Sequence, residues 1–369
     1  MVLMALDHVR DFVWAPRFDP LDLSQSTAGW FIVRWVTHYC APVFIFLAGT
    51  SAFLLESRGM ERGRLTRWLL SRGLWLVFAE FTFIVFAWDF NLRNYSVLGL
   101  RPAVIWALGA SMMVLALLVH LPRWAVATLG LAMVLGHNTL DGVSPEQFGT
   151  WAPLWTLLHT QAPTQIGDIK MFVVYPLVPW IGVMALGYVF GPILLRPADQ
   201  RHRWLLRLGL GMTVAFIALR ALGVYGEPKP WSAQPTALFT ALAFLDNTKY
   251  PPSLLYLLMT LGPAMLALNG LERMRGKLAE ALAVFGRVPF FYYLLHLYLI
   301  HSIAVVLGVM QGYPVSALMD NNFLFPQGYG VGLVGVLAVW VGVVLALYLP
   351  CRWFGQVKRT RRSAWLSYL

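Results

Sequence analysis

The chain has 369 residues, of which 59% are hydrophobic and only 12% are charged. Soluble globular domains carry about 25% charged residues, so this composition excludes that class. The formal net charge of +11 could suit nucleic acid, but the basic residues cluster in short stretches between apolar segments. That placement is typical of membrane topology, and no nucleic acid is expected as a partner.

Ten apolar segments follow one another along the chain, and most have the length of about 18–25 residues that crosses a bilayer. We place the spans at 1–15, 29–55, 72–89, 98–119, 123–138, 171–195, 204–224, 251–270, 285–310 and 330–351. The first is too short to cross alone, and we expect this start to be truncated. The predicted fold class is all-α, a polytopic membrane protein with about ten transmembrane helices in a single domain over residues 1–369.

The basic residues also indicate the orientation of the spans. Most of the 28 Lys and Arg lie in the loops that follow the even-numbered spans or after the last span. The positive-inside rule places these loops and both the N- and C-termini in the cytoplasm. The loops of the opposite side, 138–170, 225–250 and 311–329, are longer, which favours lids or binding surfaces. Their aromatic residues suit interfacial anchoring and stacking on sugar rings alike.

Ionisable side chains inside the first two apolar segments are the strongest chemical signal. Such groups cost about 2.5–3.5 kcal/mol each on insertion scales, so they mark candidate functional sites. They are Asp7, His8, Arg10, Asp11, Arg34 and His38. Asp7, Arg10 and Asp11 are spaced to share one helix face, and Arg34 and His38 share a face of the second helix.

Two later spans carry ionisable residues at a depth similar to that of His38. Glu80 lies on the third span and His296 on the ninth, with His301 about one and a half turns further along. We expect these groups to converge in one hydrated chamber. The alternative is that pairs such as Arg34–Glu80 are buried ion pairs that only hold helices together.

Motifs for other chemistries are missing from the sequence. Cys40 and Cys351 give neither a disulfide framework nor a metal-ligand spacing, and no metal is expected. Gly187 and Gly191 have the spacing of a helix-packing pair. We expect the remaining histidines to be solvated in loops and turns, namely His120, His137, His159 and His202.

Five stretches carry a resemblance to a known family. They are LMALDHVRDF (3–12), THYCAPVFIFLAGTSAFL (37–54), YPLVPWIGVMALGYVFG (175–191), NTKYPPSLLYLLMTLGP (247–263) and GRVPFFYYLLHLYLIH (286–301). Together they resemble bacterial membrane proteins similar to the heparan-α-glucosaminide N-acetyltransferase catalytic domain, within the transmembrane acyltransferases. The resemblance implies transfer of an acyl group, expected to be acetyl, from cytoplasmic acetyl-CoA. The acceptor is a sugar amine or hydroxyl on the other side of the bacterial inner membrane. It makes acetyl-CoA a co-substrate and implies modification of a cell-envelope glycan.

The acyltransferase interpretation assigns functions to the ionisable residues of the spans. His8 or His38 acts as the general base because a histidine can accept and return a proton at neutral pH, and His296 completes the site. The predicted substrate-binding residues are Asp7, Asp11, Arg34, Glu80, Lys249, Tyr250 and His301. Expected partners are acyl-CoA, a glycan or small-molecule acceptor and the lipid bilayer, and a homodimer is left open.

A second hypothesis assigns the same residues to transport. A transporter or flippase for a polar or lipid-linked substrate could use buried His, Asp, Glu and Arg as a proton relay. Inverted repeats would favour this hypothesis, and the sequence shows none.

Overall fold

The computed structural model describes residues 1–16, 18–91, 100–319, 325–361 and 363–368. Within them, seven helices are long and apolar enough to cross a membrane: Ala28–Ser57, Arg62–Asp89, Leu177–Leu194, Ala198–Leu222, Leu254–Leu271, Pro289–Met310 and Leu333–Thr360. Three shorter helices, Val2–Val13, Val104–Leu118 and Arg123–Gly136, coincide with the other three predicted spans. The all-α polytopic class is therefore confirmed. Residues 98–99 of one predicted span and 320–324 of one predicted loop lie outside the described residues.

The helices are numbered here in chain order. They are α1 (Val2–Val13), α2 (Ala28–Thr37), α3 (Cys40–Ser57), α4 (Arg62–Ala79), α5 (Val85–Asp89), α6 (Val104–Leu118), α7 (Arg123–Gly136), α8 (Ala152–His159), α9 (Leu177–Leu194), α10 (Ala198–Leu222), α11 (Ala237–Leu245), α12 (Leu254–Leu271), α13 (Lys277–Arg287), α14 (Pro289–Met310), α15 (Ser316–Met319) and α16 (Leu333–Thr360). A π-helical turn, Glu80–Ile84, joins α4 to α5. Two short strands, β1 (Pro163–Ile166) and β2 (Ile169–Phe172), form an antiparallel hairpin in which Pro163 lies opposite Phe172.

The chain divides into two compact units. The first comprises Met1–Cys40, Thr82–Val97 and Met274–Leu369, and the second comprises Ala41–Phe81 and Leu98–Arg273. A single domain over 1–369 stays a prediction.

In the first unit, hydrogen bonds fix both ends of α1 beside α16. The amide of Ala15 donates to the carbonyl of Val331 at 3.1 Å, and the amide of Val331 donates to the carbonyl of Val13 at 2.8 Å. At the other end, the Trp340 indole N–H donates to the carbonyl of Val2 at 2.9 Å. Gly330 has φ of 113°, and a Cβ there would lie 2.7 Å from the Ala15 amide nitrogen, so the close approach requires glycine.

The predicted second span, 29–55, is interrupted near its middle. Helix α2 ends at Thr37, and α3 begins at Cys40. Pro42 explains the break, because it has no N–H to bond the carbonyl of His38 and its ring crowds that carbonyl. His38 therefore lies at a helix break inside an apolar segment.

In the second unit, glycines allow α9 to approach α3 closely. A Cβ at Gly187 would collide with the backbone of Phe46, and one at Gly191 would collide with the Phe53 ring. The Thr50 hydroxyl donates to the carbonyl of Gly187 at 3.0 Å across the same contact. The prediction that Gly187 and Gly191 form a helix-packing pair is confirmed.

Two charged residues organise the loop after α10 in the same unit. The buried Arg220 guanidinium donates to four backbone carbonyls, those of Lys229, Ala243, Phe244 and Asp246. Glu227 accepts from the Thr248 amide at 2.9 Å and from the Ser253 hydroxyl at 2.7 Å. Arg220 therefore holds the long 225–250 segment to α10, and Glu227 joins the segment to Ser253 at the start of α12. Neither residue was predicted from the sequence.

Candidate active site

The first unit gathers the charged residues of α1 and α2 around one carboxylate. Asp7 accepts from Arg34 Nη1 through both oxygens, at 2.9 and 3.1 Å, and its Oδ1 lies 2.9 Å from Arg10 Nη2. The Thr37 hydroxyl donates to the same Oδ1 at 2.8 Å. Arg10 Nη2 also lies 2.5 Å from Asp11 Oδ1. The side chains of Asp7, Arg10 and Asp11 therefore meet on one helix face, as predicted. The positive charges of the two arginines balance the negative charges of the two carboxylates.

His8, the next residue on α1, is paired with His296 of α14. The Nδ1 of His8 lies 2.6 Å from the Nε2 of His296, and the two rings stack with centroids 4.8 Å apart. His296 is fully buried, and its Nδ1 lies 3.0 Å from the carbonyl of Tyr292. The edge of Trp88 also packs against His8, with ring centroids 5.1 Å apart.

This hydrogen-bond pattern assigns the tautomers of the pair. A backbone carbonyl can only accept, so the Nδ1 of His296 carries the proton and its Nε2 accepts. The Nδ1 of neutral His8 must then be the donor, which leaves the lone pair on its Nε2. His296 therefore orients His8 and sets which nitrogen can take a proton.

A cavity of about 550 Å³ adjoins the charged cluster. It is lined by Arg10, Asp11, Trp14, Pro16, Phe18, Asp19, Pro20, Arg34, Phe325 and Gln327. Within the described residues, Nε and Nη1 of Arg10 are buried and make no hydrogen bond. Further along the loop outside the cavity, hydrogen bonds from Ser24 and Gln25 lower the pKa of the partly exposed Asp22 carboxyl. The cavity has the size of a small-molecule site, and its wall carries Arg10 and Arg34 together with Asp11 and Asp19.

The other two histidines of the first unit differ in what surrounds them. His38 is buried directly after Thr37, which contacts Asp7, and its role as a base stays a prediction. His301 has both ring nitrogens on backbone carbonyls, Ala87 at 2.8 Å and Leu318 at 3.0 Å. It also stacks on Phe90 with centroids 3.9 Å apart. These contacts give His301 a structural function, and its substrate-binding function stays a prediction.

Three predicted site residues lie in the second unit. Glu80 is buried and accepts from the amide of Trp106 at 2.8 Å, so its carboxylate caps the first turn of α6. Lys249 Nζ lies 5.1 Å from the centroid of the Tyr250 ring and 6.0 Å from that of Tyr175. Lys249 is largely buried, and its ammonium group is held by these aromatic faces.

Two histidines that we expected to be solvated are buried. His137 follows α7 and is 2% exposed, and His159 ends α8 and is 3% exposed. The prediction is wrong because the 138–170 segment folds over them and Trp155 stacks on His159 with centroids 5.3 Å apart. By contrast, His120 is exposed and contacts the Thr66 hydroxyl at 2.8 Å.

Together, the apolar spans and the buried polar residues define an integral membrane protein that contains a histidine pair and a cavity lined by charged residues of α1 and α2. The family model described as heparan-alpha-glucosaminide N-acetyltransferase, catalytic, matches residues 1–226. The chain belongs to this family, and its function is that of a membrane acetyltransferase-like transferase. A comparison with curated proteins finds no match. His8 lies inside the matched segment and His296 lies beyond it.

Proposed function

We propose that the protein is an integral-membrane acyltransferase that moves an acetyl group from cytoplasmic acyl-CoA to a sugar amine or hydroxyl on the opposite side. Its place is the bacterial inner membrane, and its acceptor is a glycan of the cell envelope. Family membership supports the transfer reaction. The observation that carries the proposal is the His8–His296 pair, in which one imidazole orients the other. Arg10 and Asp11, which follow His8 by two and three residues on α1, line the cavity, whereas the two histidines are not among its lining residues.

The proposed reaction uses the lone pair on His8 Nε2. His8 accepts the proton of the acceptor O–H or N–H while the acceptor atom attacks the thioester carbon. His296 stabilises the resulting imidazolium by accepting from its Nδ1–H. The C–S bond then breaks, and the imidazolium returns the proton to the thiolate of CoA. Direct transfer of this kind needs no acyl-enzyme.

The charged cluster supplies substrate contacts in this proposal. Arg10 and Arg34 line the cavity with guanidinium groups that suit carboxylate, phosphate or sugar oxygens. Asp7 holds both arginines, which fixes their direction. Lys249 and Tyr250 remain proposed contacts to the acceptor or to the polar parts of CoA.

Acetyl transfer from labelled acetyl-CoA into cell-envelope glycans tests the proposal. Wild type is compared with His8→Ala, His38→Ala and the control His120→Ala, which changes an exposed histidine. We expect His8→Ala to lower incorporation by about 10²–10⁴-fold, the usual contribution of a general base, and His120→Ala to match wild type. Equal incorporation in all four proteins contradicts the proposal.

A transporter is the second candidate, and the helix break after Thr37 favours it. Discontinuous helices at membrane depth are common at transporter binding sites. Equilibrium binding of acetyl-CoA to the purified protein separates the two, because a transporter has no reason to bind that donor. Saturable binding supports the acyltransferase, and its absence supports the transporter.

A further inference from the structure

The buried histidines of the second unit form a cluster that the proposed reaction does not use. One ring nitrogen of His137, one of His159 and a carboxylate oxygen of Asp141 all lie within 4.8 Å of one another. Two imidazoles and one carboxylate are a common ligand set of zinc sites with an open fourth position. We infer that His137, Asp141 and His159 bind a divalent metal ion of the zinc class.

His137 provides an independent reason to expect a ligand. Its imidazole is 2% exposed, yet neither ring nitrogen makes a well-formed hydrogen bond, and the backbone of Pro252 offers only a weak polar contact. A buried polar group without a partner costs about 1–3 kcal/mol. A metal ion bound to one of these nitrogens offsets that cost.

The other two ligands are already oriented by neighbouring groups, as is usual around metal sites. The amide of Asn138 donates to Asp141 Oδ2 at 2.8 Å, while Asp141 Oδ1 lies 3.9 Å from His159 Nε2. Trp155 stacks on the His159 ring, and its indole N–H donates to the carbonyl of Val143 at 3.1 Å. His159 Nε2 also lies 2.9 Å from the carbonyl of His137, so an ion bound at this nitrogen would replace that hydrogen bond.

The separation of the ligand atoms is compatible with closure around an ion. Bonds of about 2.1 Å in a tetrahedral site put ligand atoms about 3.4 Å apart. Asp141 is exposed, so its side chain can rotate toward an ion held between the two imidazoles. Zinc-class ions suit this nitrogen and oxygen set, whereas magnesium and calcium prefer oxygen alone.

Cobalt(II) is the probe that tests the inference in the full-length protein. The protein is purified on a tag without histidine, stripped with a chelator and titrated with Co²⁺, while the visible d–d absorption is recorded. We expect one equivalent to bind with a four-coordinate spectrum and Zn²⁺ to displace it. We also expect the metal to raise the midpoint of thermal unfolding, because it binds only the folded state.

Three variants make the test specific. Asp141→Asn and His159→Gln are expected to weaken Co²⁺ binding at least about tenfold, whereas His120→Gln, the matched control, leaves it unchanged. Asp141 is exposed, so its variant separates lost ligation from lost folding. Either no four-coordinate spectrum in wild type, or equal binding by wild type, Asp141→Asn and His159→Gln, overturns the inference.

Discussion

Two buried arginines, one in each unit, show what separates a scaffold charge from a candidate functional one. Arg220 in the second unit donates to four backbone carbonyls that lie around the end of α11 and the loop before it. Arg10 in the first unit places Nη2 between Asp7 and Asp11, and its Nε and Nη1 make no hydrogen bond within the described residues. Both side chains are almost fully buried.

Burial of a charge therefore does not identify a functional residue in this protein. The N–H groups of Arg220 donate to backbone carbonyls, and Oε2 of Glu80 accepts from a backbone amide in the first turn of α6. Both side chains therefore stabilise the fold itself. Arg10 lines a cavity, and its buried Nε and Nη1 make no hydrogen bond within the described residues. Unused hydrogen-bonding capacity beside a cavity is the better criterion.

The largest expected effect tests the orienting function of His296. His296→Phe removes the acceptor for His8 Nδ1–H and is expected to lower kcat by about 10²–10⁴-fold with little change in KM. His296→Asn keeps a side-chain oxygen that can accept, and it is expected to recover part of kcat. Steady-state acetyl transfer measures both. Equal losses of kcat in the two variants would indicate that His296 acts only in packing. The distinction between a candidate functional residue in the first unit and a scaffold residue in the second would then be weaker.

The next effect concerns stability and tests the scaffold function of Arg220. Arg220→Met leaves several carbonyls without a donor, and we expect it to reduce the free energy of unfolding by about 2–4 kcal/mol. Arg203→Met, an exposed position on the same helix, is the control. Thermal unfolding in detergent measures the change. A melting midpoint equal to that of wild type contradicts the assignment.

Close helix packing in the second unit predicts a smaller loss. Gly187→Ala places a methyl group against the backbone of Phe46 and is expected to cost about 1–3 kcal/mol. At Gly211 on α10 a Cβ meets nothing within 4 Å of the described residues, so Gly211→Ala should be neutral or slightly stabilising. The same unfolding measurement compares them, and indistinguishable midpoints would refute the packing explanation.

The smallest expected effect sharpens the function of Arg10. Arg10→Lys keeps the charge and removes the planar group of donors, so we expect KM for the acceptor to rise about tenfold with kcat nearly unchanged. Arg203→Lys serves as the control. A fall in kcat with constant KM would show that Arg10 acts in the chemical step and not in binding of the acceptor.

The spans were predictable from sequence because their length is set by the bilayer and not by tertiary contacts. Each of the ten predicted segments contains a helix, although the second and the third are each divided between two helices. The break after Thr37 had a local signal in Pro42 that the apolar run concealed. The π-helical turn at Glu80 had no such signal, because the carboxylate that begins it bonds to the distant α6.

The candidate site was predictable in part. The sequence predicted that the ionisable groups of several spans converge, and the structure pairs His8 with His296. The i, i+3 and i+4 spacing indicated the cluster around Asp7. The tautomers depend on ring orientation, which the sequence does not encode locally. The burial of His137 and His159 depends on how the 138–170 loop folds over them, so hydropathy could not predict it.

The attachment of α1 to α16 has a consequence for biosynthesis. The ribosome releases Val13 early, but the Val331 amide and carbonyl that fix its position emerge only near the end of translation. His296, which orients His8, is also made late. The first helix must therefore wait in the insertion machinery or the lipid until almost the whole polypeptide has been synthesised. Nascent chains stalled before the last helix should carry an α1 that lacks its hydrogen bonds to Val331 and Trp340.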